Sequence, residues 1–364
     1  MRFLFYLLFF MCLLSCGSGD GGAPASTDYV RATVQGPDGK SAWIQPYFVL
    51  EGDSCDSPAD SAPNFVFERQ LDAEVFFRGN THTHTERSFD SVVPISDVLA
   101  WFKNNNYDFV VLTDHDRSSV PGEFPAFDET GIFVVIAGEE VTSDGITPDG
   151  EVLQVHVNSI CSNGATVGGT ALDGVDNTLK DAVDRVIDTA GAIPQVNHPN
   201  FHLALRPADI LFAHRAQLIE IANQHPLVNN LGDKDHITTE QIWDAVLSEG
   251  MEIYGVASDD THTGPESIPN PPLPTPPGKG WIQVAASELS ADAICEALET
   301  GSFYASTGVE LAHLSISETR MQFQITPASG ELSDNYVTTF IGNKGSILHM
   351  ATGLTPMYEL SACQ

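Results

Sequence analysis

Positive charge is what this chain has least of: 16 lysines and arginines stand against 49 aspartates and glutamates in 364 residues, a formal net charge of −33. So acidic a surface repels polyanions such as DNA and anionic lipid headgroups, which excludes nucleic acid as a partner and fits a solvated surface in a saline or extracellular setting. Cysteine is scarce as well. Six are present, and none stands in a Cys-x-x-Cys pair, which argues against a structural zinc site and thioredoxin-like chemistry. There is no internal repeat, no coiled-coil heptad and no second long hydrophobic run after the first 14 residues. What remains is ordinary globular material, 42% hydrophobic and 18% charged, long enough for one large enzyme domain and a smaller accessory part.

The one apolar run, positions 3–14 after Arg2, has signal-peptide length and is too short to span a bilayer comfortably. Leu13-Leu14-Ser15-Cys16 resembles the end of a bacterial lipoprotein signal, where cleavage precedes a lipidated cysteine. The expectation is an exported protein with 1–15 removed, Cys16 carrying a lipid anchor at the periplasmic or cell-surface side of a membrane, and 16–28 as flexible linker. Cys55, Cys161, Cys295 and Cys363 then remain, and their pairing stays open.

Positions 29–72 read as an N-terminal β segment, and 309–364 as a C-terminal β extension with runs at 310–316, 321–325, 336–341 and 346–350. Between them, 73–308 alternates strand and helix signals. Apolar runs at 75–77, 109–112, 132–136, 152–157, 193–196, 218–221 and 253–257 are strand-like. Helix starts and stops fall between several of them: Ser96 or Asp97 to Asn104, 179–190 before Gly191, Thr239 to Gly250, and Ser290 to Gly301. This order predicts a seven-stranded parallel β/α barrel, TIM-like, whose strand C-termini converge on one face. The proline-rich stretch 264–280 cannot be helix or central strand, and is either a wall over the site or an inert connector.

The chemistry-bearing residues cluster at those strand ends. His82 and His84 follow the first run with alternate-residue spacing, so both rings can face one metal. Asp114-His115-Asp116 ends the second run abruptly, with Asp114 placed to orient His115. Glu139-Glu140 follows the third; two adjacent carboxylates are costly unless one is solvated or metal-bound, and spacing does not say which. His156 sits within an alternating strand, His198-Pro199 closes another, and Asp259-Asp260-Thr261-His262 repeats the alternate-residue arrangement. His214, His225, His236, His313 and His349 read as surface or loop residues; His202 and Arg206 are remote candidates for substrate contact.

Taken in order, His-x-His, Thr-Asp-His, Gly-x-Glu, a lone His, His-Pro and Asp-x-His resemble the PHP (polymerase and histidinol phosphatase) family over about 76–262. Ser258–His262, Ile219-Glu220-Ile221-Ala222-Asn223 and Gly301–Gly308 resemble its exported, carbaryl-hydrolase-like branch. The resemblance implies a distorted barrel and two or three divalent ions (Zn, Mn or Fe). His82, His84, Glu140 and Asp260 would hold one, Glu140, His156 and His198 a second, and His115 and His262 with Asp90 a third. It also selects Glu140 over Glu139 and Asp260 over Asp259. The implied activity is hydrolysis of a small-molecule substrate, a phosphoester by preference, by a metal-activated hydroxide beside Glu140, with His115, Asp114 or Asp259 protonating the leaving group. Hydrolysis of a carboxylic ester, amide or carbamate on the same site is the alternative, and a non-catalytic metal-dependent binding lipoprotein is the alternative from another class.

Overall fold

The computed structural model of the chain describes residues 28–51, 65–166, 169–264 and 275–360. The leader with Cys16, the cysteines Cys55 and Cys363, and positions 265–274 of the proline-rich stretch lie outside the described residues.

Runs of β-branched and aromatic residues fit a pleated surface covered on both faces, and here they become strands with no exposed residue. Phe77–Asn80, Phe109–Val111 and Val134–Ile136 pair in parallel in one sheet. Ile193–Val196, Leu218–Asn223 and Tyr254–Ser258 do so in another. Parallel bridges join the two sheets, Thr83 to Thr261 and His115 to Glu140. The histidine motifs therefore sit where the sheets meet.

The arrangement is mixed, and in two respects it differs from seven parallel strands. After Ile136 the chain does not enter a loop. Gly138–Ile146 runs on as a nine-residue strand and turns back at Pro148-Asp149-Gly150 into Val152–Ile160, its antiparallel partner. A Cβ at Gly138 would lie 2.9 Å from the carbonyl oxygens of Leu112 and Ser159, so only glycine lets the strand start this close to its neighbours. Val152–Ile160 is also antiparallel to Ile193–Val196. His156 thus reaches the centre from mid-strand. The first and third runs begin later than their apolar residues suggest, since Val75 and Ile132 are exposed.

Helices Ile95–Asn104, Val175–Ala190, Thr239–Leu247 and Ala291–Glu299 occupy the expected intervals. Thr238 and Gln241 cap each other reciprocally, Ser290 accepts from Ala293 N, and Gly191 closes its helix in the left-handed region. A fifth, Pro207–Phe212, is too short to show a helical period. Among the described residues no helix is long and apolar enough to cross a membrane.

The two terminal β regions are interleaved. Tyr29–Gln35 lies between Ser41–Glu51 and Val337–Gly342, antiparallel to both, and Ser41–Glu51 pairs onward with Phe303–Ser306. Leu71–Ala73 joins Glu310–Ile316 in a separate sheet. Arg31, buried, forks onto Asp244 at 2.6 and 2.7 Å and reaches Glu240 at 2.9 Å, tying the first strand to the Thr239–Leu247 helix. Cys161, directly after Val152–Ile160, is disulfide-bonded to Cys295 in the Ala291–Glu299 helix.

Candidate metal centre

Nine side chains meet in four groupings whose donor atoms lie within 4.8 Å of one another: His82 with His84 and Asp260; His82 with Glu140 and His198; His115 with Glu140 and His156; and His84 with Asp90, His115 and His262. Glu140 is central. Its Oε2 is 3.2 Å from His82 Nε2, 3.1 Å from His84 Nε2 and 3.2 Å from His115 Nδ1, while Oε1 is 2.9 Å from His156 Nδ1 and 3.5 Å from His198 Nε2. Strand alternation explains the choice within Glu139-Glu140: one carboxylate faces the centre, and Glu139 turns away to accept from Thr166 N at 2.9 Å. Asp260 Oδ1 lies 3.3 Å from both His82 Nε2 and His84 Nε2. Asp90 Oδ2 lies 3.3 Å from His115 Nε2 and 3.1 Å from His262 Nε2, with its side chain 34% exposed.

The ring nitrogens facing away from the centre are committed. His82 Nδ1 is 2.8 Å from Glu220 Oε1, and His84 Nδ1 is 2.9 Å from Ser88 Oγ. A proton held on Nδ1 leaves the Nε2 lone pair to point inward. There His82 Nε2, His84 Nε2 and Glu140 Oε2 are buried without a hydrogen-bond partner. Left so, each such atom costs about 1–3 kcal/mol, and a metal ion satisfies all of them at once. Imidazole and carboxylate donors suit zinc, manganese or iron, so the residues present fit divalent ions.

Electrostatics agree with the geometry. Burial alone would raise the carboxyls. Instead His115, His82 and His156 hold Glu140 well below the usual range, and His82, His84 and His262 do the same for Asp260. Burial pulls His82 and His84 down, but Asp260 and Glu140 outweigh it, leaving His82 well above its ordinary value and His84 raised to about 9. His198 and Asp260 also hold left-handed backbone, φ 25° and 50°. Such strain costs about 1–3 kcal/mol per non-glycine residue and collects at functional sites.

Two of the expected proton donors are engaged elsewhere. Asp114 accepts from Thr85 N at 2.6 Å and from Thr85 Oγ1, so it pins the His82–His84 loop and does not orient His115. His115 is held instead by Thr142 Oγ1, 2.7 Å from its Nδ1. Asp259 accepts from Asn80 Nδ2 and from the backbone N–H of Gly278, Lys279 and Gly280. Burial pushes its carboxyl up to about 6 against those three donors. Neither lines the cavity over the centre.

Glu220 was identified in the sequence only as part of a motif. Fully buried in the otherwise apolar Leu218–Asn223 strand, it accepts from His82, from His198 N at 2.7 Å, from Asn223 Nδ2 at 2.8 Å and from Ser258 Oγ. Asn223 Nδ2 also reaches Asp260 Oδ2 at 3.1 Å, and Asn197 Nδ2 donates to Glu140 Oε1 at 2.8 Å. A carboxylate inside an apolar strand was the available signal. His225, expected on the surface, lines the cavity beside His262, and burial pushes it down to about 4. His202, His214 and His349 are exposed, His236 and His313 pair with Asp233 and Asp72, and Arg206 is exposed at a helix start.

No family model matches the chain, and no curated protein does. Among solved structures, a "putative metal-dependent phosphoesterase" from Bifidobacterium adolescentis is similar at a TM-score of 0.33 and 11% identity, over 54% of this chain and 92% of that one. At that score the likeness has no weight for activity.

Proposed function

We propose that the chain is a metal-dependent hydrolase of the PHP type with a phosphoester substrate, its strands forming a distorted barrel around the centre. The observation that carries this is the convergence of unpartnered, buried His82 Nε2, His84 Nε2 and Glu140 Oε2, with the outward-facing Nδ1 atoms already committed. His82, His84, Glu140 and Asp260 would hold one ion, Glu140, His156 and His198 a second, and His115, His262 and Asp90 a third. Bound there, divalent ions lower the pKa of water from about 15.7 towards about 7 and neutralise charge on phosphoryl oxygens.

The chain's own groups do the rest. Glu220 and Asn197 fix ring and carboxylate orientation from behind. Water adds its oxygen to phosphorus, the ester P–O bond breaks, and the departing oxygen takes the electron pair and a proton. His225 is placed to hydrogen-bond that oxygen: its Nδ1 accepts from Leu227 N at 3.2 Å, so the neutral ring carries its proton on Nε2. His115, the other expected donor, lines the same wall but has both ring nitrogens engaged, Nδ1 with Thr142 Oγ1 and Nε2 beside Asp90. Carboxylic ester or carbamate hydrolysis on the same centre is a second reading, favoured by the apolar rim of the cavity. The Cys161–Cys295 bond supports export, since disulfides persist in oxidising compartments, and lipid anchoring at Cys16 completes that proposal.

Chelator treatment should abolish turnover, and Mn²⁺, Zn²⁺ or Fe²⁺ should restore it. Glu140→Ala should lose both metal binding and turnover. Full activity in chelator, or in that variant, would place the chemistry elsewhere.

A further inference from the structure

Among the described residues, no lysine or arginine lines the cavity of about 270 Å³ above the centre. Arg87, on the ligand loop, is turned away onto Glu123 Oε1 at 3.1 Å and Ser118 O at 2.7 Å, and Lys40 and Lys279 line a different cleft. Of the undescribed segments, 52–64, 167–168, 265–274 and 361–364 have no basic residue in their sequences, and 1–27 has Arg2 alone. Around the rim stand apolar side chains instead. Phe89 is 75% exposed and lies flat on His115, ring centroids 4.7 Å apart at 25°. Phe201 sits 5.1 Å from the His198 ring, and Leu227 is 52% exposed. Solvated apolar side chains are ordinary when scattered, but gathered at the mouth of a polar site they mark a binding surface.

We infer that the substrate carries at most one negative charge at the group hydrolysed and an aromatic or bulky apolar substituent beside it, as an aryl phosphodiester does. This rests on the hydrolase reading above. Sites for dianionic monoesters or polyphosphates add arginine or lysine to spread the extra charge. Here Glu140, Asp260 and Asp90 already use part of the ions' charge, and among the described residues no lysine or arginine stands in the wall to add to what is left. An aromatic ring against Phe89 or Phe201 gains offset stacking and buried area.

Three substrates with one leaving group provide the test: bis(4-nitrophenyl) phosphate, methyl 4-nitrophenyl phosphate and 4-nitrophenyl phosphate, each assayed on metal-loaded full chain. The expected kcat/KM order is bis-aryl, then methyl, then monoester, with about tenfold or more between the first two. Phe89→Ala and Phe201→Ala, made separately, should each shrink the bis-aryl to methyl ratio, and circular dichroism should report an intact fold. Chelator-sensitive turnover in which the monoester is preferred, or a ratio unchanged in both variants, overturns the inference while leaving the hydrolase reading standing. No metal-dependent turnover of any of the three overturns both the inference and the phosphoester reading.

Discussion

Glu220→Gln keeps the shape of a buried carboxylate while reversing one of its two hydrogen-bonding edges. Oε1 accepts from His82 Nδ1, Ser258 Oγ and, at 3.4 Å, Gln195 Nε2, and Oε2 accepts from His198 N and Asn223 Nδ2. Whichever oxygen becomes an amide nitrogen, at least two donors lose their acceptor. The Ser258 hydroxyl can rotate and accept, but a backbone N–H cannot. The His82 ring escapes only by moving its proton to Nε2, the nitrogen that faces the centre. At about 1–3 kcal/mol per stranded buried donor, the variant should be destabilised by about 2–4 kcal/mol. Its metal affinity should fall about 10–100-fold, the usual consequence of removing a partner from behind a ligating histidine. Competition against a chelating dye would give the affinity, and urea unfolding with and without metal the stability. Glu220→Asp, which keeps both edges as acceptors, should recover part of the affinity. An amide variant that binds metal within twofold of the parent would refute the role assigned to Glu220.

The raised pKa of His84, about 9 in the metal-free protein, has a sign that can be checked. Its contribution to metal-free stability is full below the unfolded value near 6.5 and is lost as pH rises through about 9. Metal must displace that proton, so affinity should climb over the same interval, with proton release visible by calorimetry in buffers of different ionisation enthalpy. Reducing Cys161–Cys295, which are 134 residues apart, should cost about 4–5 kcal/mol on the chain-entropy model, measured by guanidinium unfolding with and without reductant. Arg31→Ala leaves the buried Asp244 carboxylate with the Tyr29 hydroxyl but no cation, and should cost about 3–5 kcal/mol with little change in metal affinity.

The ligand types were legible because an apolar run that stops at histidine or aspartate cannot continue into a core. Direction was not. Periodicity is the same for a strand read either way, so the antiparallel course of Val152–Ile160 lay hidden, though Pro148-Asp149-Gly150 was a turn signal for the hairpin. Gly138–Ile146 is hidden for a related reason: its sequence, GEEVTSDGI, is mostly polar, with Glu140 buried by the site and Glu139 turned onto Thr166. Asp114 and Asp259 show the limit of reading roles from neighbours in the chain. Each lies beside a ligand, yet its hydrogen bonds run to a loop. His225 is distant in sequence from every ligand motif, and only the meeting of loops brings it to His262.

The interleaved termini bear on when folding can finish. Tyr29–Gln35 is among the first strands to be synthesised, yet one of its two neighbours is Val337–Gly342, with Arg31 opposite Ile341. On a growing chain that edge waits, unpaired, through more than 300 residues of synthesis, and every ligand from His82 to His262 emerges in the interval. Contacts this distant in sequence form slowly, and unpaired edges invite association with other chains. A nascent chain could therefore acquire its ligand set before this early strand finds its second partner.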